Sequence, residues 1–408
     1  MVESSGSPGT FAALRVRNYR LYATGMAISN NGTWMQRIAL DWLVYSLTGS
    51  SFAVGVTTAL QFGPMLFLGL FGGLIADRYP QRRLLLFTQS AFGLLATVLA
   101  VLAFTHTATV GVIYLVAFGL GLVTVVDNPA RQTFVGVMVP ARLMRNAVSL
   151  NSGNFQLARL TGPALAGVVV ATAGPAWAFA VNAVTFAATL TALTLMRSAE
   201  FEQLPREPRG RGQLRAGLRY VAARPALLWP IVLLFFIGGF GFNFAIVLTA
   251  YAGEVFDGGP GLYGWLNSTL AAGSVVGALL AARRPTVSAR FLFGSAAAFG
   301  GTLVLAGLAP TLWLLIPALA ACGLAGVGFN TSANSSVQLA TDPTLRGRVM
   351  SLYFLVLMGS IPIGSLIVGG ITERWGPSVA LVISGAICVV AAGSCARLAG
   401  RETHASDA

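Results

Sequence analysis

Lysine is absent from this chain of 408 residues, so that all 26 of its basic residues are arginine. Charged residues of both signs make up only 10% of the sequence, whereas soluble proteins contain about 25%. Because the nucleotide-binding P-loop needs a lysine, this absence excludes a pump driven by a Gly-x-x-x-x-Gly-Lys-Ser/Thr motif. The shortage of charge excludes an ordinary soluble domain.

Cysteine and histidine are also scarce. The three cysteines, Cys322, Cys388 and Cys395, lie inside apolar stretches without metal-ligand spacing. We therefore expect small packing residues rather than a disulfide or a metal site, and we expect no cofactor. The sequence contains no HExxH, no paired catalytic carboxylates and no Ser/His/Asp set, so that an enzyme is not expected.

Long apolar runs take the place of the missing charges. Hydrophobic residues make up 55% of the chain, and its mean hydropathy is +0.75. A run of about 20 apolar residues crosses the roughly 30 Å bilayer core as an α-helix. The sequence therefore predicts an all-α membrane protein with twelve transmembrane helices, near residues 19–45, 52–76, 84–105, 109–130, 146–172, 176–196, 226–251, 260–282, 290–309, 311–335, 349–371 and 377–397.

The arginines are distributed unevenly among the predicted loops. With twelve spans, 22 of them occupy the termini and loops of one side, and only Arg374 lies in a loop of the other side. The positive-inside rule then places both termini in the cytoplasm and the protein in the cell membrane, in contact with lipid. The formal charge of +13 is explained by this topology, and no nucleic-acid partner is expected.

A polar stretch rich in arginine and proline, residues 197–225, divides the chain. It predicts an N-terminal bundle of six helices over residues 1–196, a cytoplasmic linker, and a second six-helix bundle over residues 226–408. Gly73 and Gly277 stand at corresponding places of the two halves. Related halves of this kind are typical of transporters that bind their substrate near the bilayer midplane.

The linker has an amphipathic pattern of its own. Leu214, Leu218 and Val221 fall on one helical face, with Arg215 and Arg219 beside them. This pattern predicts a short helix that lies on anionic lipid, and a plain tether is the alternative.

A short charged segment separates the second and third predicted spans. A charge at the bilayer centre costs about 2.5–3.5 kcal/mol, so this segment is expected to form a loop outside the hydrocarbon. Its spacing resembles the signature Gly-x-x-x-Asp-Arg/Lys-x-Gly-x-Arg-Arg/Lys of the major facilitator superfamily, although Pro80 stands where the family usually has glycine. The residues that carry this resemblance are Gly73, Asp77, Arg78, Arg82 and Arg83.

The resemblance implies the major facilitator fold and a cytoplasmic latch between the bundles. In the family, an acid at the end of span four pairs with arginines of the loop, so that Asp127 is expected to pair with Arg78 or Arg82. The loop acid, Asp77, is expected to face the N-terminus of span eleven near Val349. The expected latch residues are Gly73, Asp77, Arg78, Arg82, Asp127 and Arg131.

The fifth span has a second motif, formed by Arg159, Gly162, Pro163 and Gly167. It is similar to the antiporter signature Gly-x-x-x-Gly-Pro-x-x-Gly-Gly of drug:proton exporters, although Ala158 replaces the first glycine. The chain resembles the branch of the superfamily that contains the enterobactin exporter and macrolide efflux pumps.

The resemblance to this branch implies a proton-coupled secondary transporter that exports an amphipathic small molecule, such as a drug, antibiotic or siderophore, by alternating access. We expect a monomer. A proton symporter for uptake and a lipid flippase are the alternatives.

Charged residues inside the spans are candidates for proton coupling. Arg37 and Asp41 are four residues apart and project from one helical face. With Arg37 beside it, Asp41 can exchange its proton as water access switches sides, or the two residues can form a static ion pair. Asp127 is the rival proton carrier. For Arg159, contact with an anionic substrate and pairing with Asp41 or Asp127 both stay open.

Polar and aromatic residues of three spans are candidates for the substrate cavity. The first span has a polar stripe, the seventh has a cluster of aromatic residues beside an asparagine, and the eleventh has a tyrosine. The candidates are Asn30, Asn31, Trp34, Gln36, Phe240, Asn243 and Tyr353.

Overall fold

A computed structural model of the chain describes residues 11–202, 213–283, 288–342 and 345–406, apart from the side chains of residues 70, 77, 213–217, 282 and 401–406. Within this part of the chain the structure is helical and has no β-strand. The N-terminal half consists of six long helices: α1 (Arg17–Thr48), α2 (Ser51–Arg78), α3 (Gln81–Phe104), α4 (Val110–Met138), α5 (Met144–Ala173) and α6 (Pro175–Thr194).

The C-terminal half follows a short helix α7 (Gln213–Ala222). Its first long segment is interrupted by two π-helical turns, at Ile237–Gly241 and Tyr251–Val255. The α-helices of this half are α8 (Pro225–Phe236), α9 (Phe244–Ala250), α10 (Gly259–Ala282), α11 (Ala289–Gly307), α12 (Leu312–Leu339) and α13 (Arg346–Ser406).

The described residues contain ten segments that are long and apolar enough to cross a membrane. Helix α1 is not one of them because Asn30, Asn31 and Arg37 make its middle polar. Helix α13 counts once, although it contains two helices that meet at Gly376, where φ is 82°. The all-α membrane fold is confirmed, whereas the twelve predicted spans correspond to ten apolar segments by this criterion.

Several helices extend further than the apolar pattern predicts. Helix α4 continues to Met138 and α12 to Leu339, past the predicted ends at residues 130 and 335, because a helix does not stop where the hydrocarbon stops. Only Tyr79 and Pro80 separate α2 from α3. We call the side of the molecule with this connection the arginine face, and the side where α1 meets α2 the opposite face.

The two halves contact each other mainly through α2 against α13 and α5 against α10. Glycine makes the second contact close. A Cβ atom on Gly264 of α10 would lie 2.6 Å from the carbonyl oxygen of Pro163 and 2.7 Å from the Cα of Gly167 on α5. Because neither backbone atom can rotate away, only glycine fits at position 264 at this separation.

Helix α7 packs against the C-terminal half. The Tyr220 hydroxyl donates a hydrogen bond to Asp342 at 2.6 Å, and Arg224 pairs with the same carboxylate at 3.5 Å. Val221 is buried and faces protein, whereas Leu218, on the same predicted face, is exposed. The side chain of Leu214 lies outside the described residues.

Candidate functional site

Two adjoining cavities occupy the middle of the molecule. The larger has a volume of about 620 Å³ and lies in the N-terminal half, toward the arginine face. Its walls mix amide, charged and aromatic side chains, which suits an amphipathic solute. They include Asn30, Trp34, Gln36, Arg37, Gln61, Phe62, Phe92, Asp127, Arg131, Phe155, Gln156 and Phe186.

The smaller cavity, of about 160 Å³, lies between the two halves. It shares Trp34, Arg37, Gln61 and Phe62 with the larger cavity, so that these four side chains form the boundary between the two. The N-terminal half also contributes Asp41, Arg159 and Pro163, and the C-terminal half contributes Phe242, Asn243, Tyr263, Asn267 and Ile361.

The helical repeat of α1 explains why so many of its side chains line both cavities. Asn30, Trp34, Arg37 and Asp41 follow one another at intervals of three or four residues, which places them on one face of a helix. Asn30 faces the larger cavity, Asp41 faces the smaller, and Trp34 and Arg37 face both. One stripe therefore runs from the arginine face to the boundary between the halves.

Asn31 does not belong to this stripe, and its expected place at the cavity is wrong. Its side-chain amide donates to the carbonyl oxygen of Ala27 at 2.9 Å and accepts a hydrogen bond from Thr161 of α5 at 2.6 Å. Position 31 lies about 100° around the helix from position 30, so that it faces α5. Gln36 lines the larger cavity and accepts a hydrogen bond from Asn182 at 2.8 Å.

Asp41 connects the two halves. It is only 2% exposed, and its carboxylate accepts a hydrogen bond of 2.9 Å from the hydroxyl of Tyr263 on α10. A charge-assisted bond of this kind is about twice as strong as a bond between neutral groups. The ionisation of Asp41 therefore affects the contact between the halves directly.

The static ion pair between Arg37 and Asp41, one of the two alternatives from the sequence, is not formed. The guanidinium of Arg37 instead lies 5.2 Å from the ring centroids of both Trp34 and Phe62, within cation–π range. Arg159 of α5 lies 6.0 Å from the same Trp34 ring. Aromatic faces thus hold two guanidinium groups beside the smaller cavity.

Asp127 has different partners from those expected. It is 3% exposed, forms an ion pair with Arg131 one turn later in α4, and accepts hydrogen bonds from Thr88 at 2.6 Å and Gln89 at 2.8 Å, both on α3. The expected pairing with Arg78 or Arg82 is wrong in this structure, because α3 supplies nearer donors.

Arg82 stabilises the end of α6 instead. Its guanidinium donates to the carbonyl oxygens of Leu193 and Thr194 at 2.8 and 2.9 Å and to the Ser198 hydroxyl at 2.6 Å. A cation at a helix C-terminus compensates the unpaired carbonyl groups.

The other latch residues lie at the end of α2. Gly73 is half-buried about one turn before the end of this helix, and Arg78 is its last residue and is exposed. The side chain of Asp77, and with it the expected contact near Val349, lies outside the described residues.

The motif of the fifth span packs against both halves. Gly162 lies against α1, where a Cβ atom would come within 2.5 Å of the Cβ of Trp34. Gly167 lies against Gly264 of α10, and Pro163 lines the smaller cavity between them. The small residues therefore let α5 approach one helix of each half.

The π-helical turn in the seventh span shifts its cavity-facing side. Residues three apart in an α-helix share a face, which is why the sequence predicts Phe240 beside Asn243. The wider turn at Ile237–Gly241 breaks this register, so that Phe242 lines the smaller cavity with Asn243. Phe240 packs against the core, and its prediction is wrong.

Tyr353 does not lie at the substrate cavity, where the sequence predicted it. It is 1% exposed, lines neither cavity, and its hydroxyl donates to the Asn330 side-chain oxygen at 3.0 Å within the C-terminal half.

Two contacts that the sequence did not reveal close the opposite face. Tyr45 of α1 donates a hydrogen bond to Glu254 at 2.9 Å, and the backbone N–H of Phe52 donates to Glu373 at 3.3 Å. Both acids belong to the C-terminal half and both donors to the N-terminal half. Acids near the outer ends of spans were the only sequence signal for these contacts.

Known transporters match most of the chain. A family model described as transmembrane secretion effector matches residues 8–408. The staphyloferrin A transporter of Staphylococcus aureus is 25% identical over 85% of this chain and 87% of its own length. The enterobactin exporter EntS of Shigella boydii and the multidrug efflux pump Tap of Mycobacterium tuberculosis are also 25% identical, over 85% and 87% of this chain and 83% and 87% of their own lengths.

Solved structures show the same fold at lower identity. A bacterial homologue of the human lysosomal transporter Spinster, in an inward-facing and unoccupied conformation, superimposes with a TM-score of 0.76 at 13% identity, over 94% of this chain and 97% of that chain. A POT family transporter in complex with 5-aminolevulinic acid gives a TM-score of 0.76 at 14% identity, over 97% of this chain and 98% of that chain.

These matches agree with the geometry of a multi-pass membrane protein whose polar cavities lie inside and between two helical halves. Siderophore and drug exporters among the relatives indicate a secondary transporter of small molecules. The family model spans nearly the whole chain. The chain belongs to the transmembrane secretion effector family of the major facilitator superfamily.

Proposed function

We propose that this protein exports an amphipathic small molecule, such as a drug, antibiotic or siderophore, by alternating access coupled to the inward movement of protons. The larger cavity lies toward the arginine face, and the distribution of arginine supports a cytoplasmic location of this face. The contacts at Tyr45 and Gly264 join the halves in the part of the molecule toward the opposite face. Substrate therefore enters from the cytoplasm in the present arrangement.

The hydrogen bond from Tyr263 to Asp41 is the observation that carries the proposal. While Asp41 is ionised and the cavity is empty, this charge-assisted bond holds the halves in their present arrangement. A proton weakens the bond by neutralising Asp41. A substrate weakens it by binding beside the two side chains, since both line the smaller cavity.

The exchange of substrate for a proton follows from these two ways of weakening the hydrogen bond between Tyr263 and Asp41. The protonated empty protein and the deprotonated loaded protein change conformation, the deprotonated empty protein does not, and proton and substrate do not bind at the same time. Such a rule couples the exit of substrate to the entry of a proton. Asp41 is the proton carrier in this scheme, and Asp127 is not, because its ion pair with Arg131 lies within the N-terminal half.

Transport by the wild-type protein in inverted membrane vesicles tests the proposal. The probes are enterobactin, staphyloferrin A and fluorescent amphipathic dyes, each with and without an acidic vesicle lumen. We expect accumulation that stops when an ionophore collapses the pH gradient. Accumulation only with the reverse gradient would indicate an uptake symporter, and activity on labelled phospholipids alone would indicate a lipid flippase; either result contradicts the proposal.

A further inference from the structure

Two arginines line the smaller cavity, whereas Asp41 is the one acid among its described lining residues. Arg37 and Arg159 both line it, and neither forms an ion pair or a hydrogen bond with another described side chain. Their guanidinium groups repel each other, and Asp41 attracts that of Arg37, which leaves one positive charge in excess. An excess charge at this depth is costly, so that the arrangement is better explained by a ligand than by stability.

The charge balance of the cavity indicates the sign of that ligand. Arg37 and Arg159 contribute two positive charges and ionised Asp41 contributes one negative charge, which leaves a net charge of +1 among the lining residues. The carboxylate of Asp41 already accepts its hydrogen bond from Tyr263. A ligand with one negative charge makes the cavity neutral without requiring a proton on Asp41.

Asn243 gives a second, independent indication. It is 4% exposed and lines the same cavity. Its side-chain NH₂ donates to the carbonyl oxygen of Gly239, which fixes the orientation of the amide, while its Oδ1 atom has no hydrogen-bond donor. A buried acceptor without a donor is costly. The atom is itself buried, so that the side chain must shift on binding for a hydroxyl group of the ligand to donate to it.

We propose that the substrates are soluble organic anions that carry a hydroxyl group near the charge. The anionic oxygens bind between Arg37 and Arg159, and the hydroxyl donates to Oδ1 of Asn243. The smaller cavity, of about 160 Å³, has the space of about five water molecules. It holds the polar group of the substrate. The rest of the substrate extends past Trp34 and Phe62 into the larger cavity.

This proposal rests on the export function, but binding tests it without any gradient. The test uses the full-length protein, purified in detergent, and fluorescence anisotropy of two dyes with one ring system. Carboxyfluorescein is anionic and rhodamine 123 is cationic. We expect tighter binding of carboxyfluorescein, a tenfold or greater loss of that affinity in Arg159→Gln, and less than a threefold loss in Arg159→Lys, which keeps the charge.

A second variant covers the case in which Arg159→Gln does not fold. Benzoate and 3-hydroxybenzoate differ only in a hydroxyl group, and each is used to displace carboxyfluorescein. In the wild-type protein 3-hydroxybenzoate should displace the dye at a several-fold lower concentration, and Asn243→Ala should abolish the difference.

Three results overturn the proposal: tighter binding of rhodamine 123, an affinity for carboxyfluorescein that Arg159→Gln changes by less than twofold, or displacement by phosphatidylglycerol in mixed micelles but by neither benzoate. If transport proved not to be coupled to protons, these binding results would be unchanged. The binding proposal and the export proposal are therefore tested independently of each other.

Discussion

Tyr263 and Asp41 lie 222 residues apart in the sequence and are joined by a hydrogen bond of 2.9 Å across the boundary between the two halves. Both side chains are buried, and both line the smaller cavity. A group that gains or loses a proton is therefore part of the contact that must break when the protein changes conformation.

Removal of the Tyr263 hydroxyl should uncouple transport. In Tyr263→Phe the deprotonated empty protein is free to change conformation, because the bond that held it is lost. A hydrogen bond to a charged group contributes about 1.5–3 kcal/mol, so that gradient-driven accumulation in vesicles should fall about tenfold or more, while downhill efflux continues.

Tyr353→Phe is the matched control for this variant. It removes an equally buried hydroxyl whose hydrogen bond to Asn330 lies within the C-terminal half. This control should accumulate substrate like the wild type. Equal accumulation by Tyr263→Phe and the wild type would show that the bond between the halves has no part in coupling.

Gly264→Ala should weaken the closed arrangement of the opposite face. The added Cβ atom meets the backbone of Pro163 and Gly167 at 2.6–2.7 Å, and overpacking of this kind costs about 1–3 kcal/mol. The population open at the opposite face should rise about 5–150-fold. The measurement is the labelling rate of Ser365→Cys, at the contact with Gly55 of α2, by an impermeant maleimide in a background without native cysteines.

Gly261→Ala is the control for this variant, three residues away on α10. Its Cβ atom would have Ala171 as its nearest neighbour, at an ordinary 3.8 Å, so the labelling rate should stay unchanged. Equal labelling rates in the two variants would refute the role of the α5–α10 contact.

Asp127→Asn should destabilise the protein. The substitution leaves Arg131 without its anionic partner, and breaking a buried ion pair costs about 3–5 kcal/mol. We expect a lower melting temperature in detergent, largely restored in the double variant Asp127→Asn with Arg131→Met, which removes both charges. A double variant no more stable than Asp127→Asn would contradict this explanation.

The orientation of the chain is a separate prediction. The excess of arginine on one face predicts that both termini lie in the cytoplasm. A phosphatase reporter fused after Ala408 should be inactive, and a fluorescent protein fused at the same place should be bright. An active phosphatase would mean that the arginine face is outside and that the proposed direction of transport is wrong.

Patterns within one helix could be predicted from the sequence. The stripe of Asn30, Trp34, Arg37 and Asp41 follows from the helical repeat alone, and these residues do line the two cavities. The motif of α5 could be found for the same reason, since small residues at short spacing mark a helix that packs closely on both sides.

Pairing through space could not be predicted in the same way. The choice of Thr88 and Gln89 as partners of Asp127 depends on how α3 and α4 pack, which no spacing records. The prediction of Phe240 failed because a π-helical turn changes the register inside an otherwise regular apolar run.

Proton-driven transport by Asp41→Asn is the most direct test of the central claim. The amide keeps the shape of the side chain but cannot ionise. We predict that inverted vesicles with this variant show no accumulation driven by the pH gradient, while downhill movement of the same probe persists. Asp127→Asn, compared at equal amounts of protein, should keep its response to the gradient. Undiminished accumulation by Asp41→Asn, or its loss in Asp127→Asn alone, would contradict the assignment of Asp41 as the proton carrier.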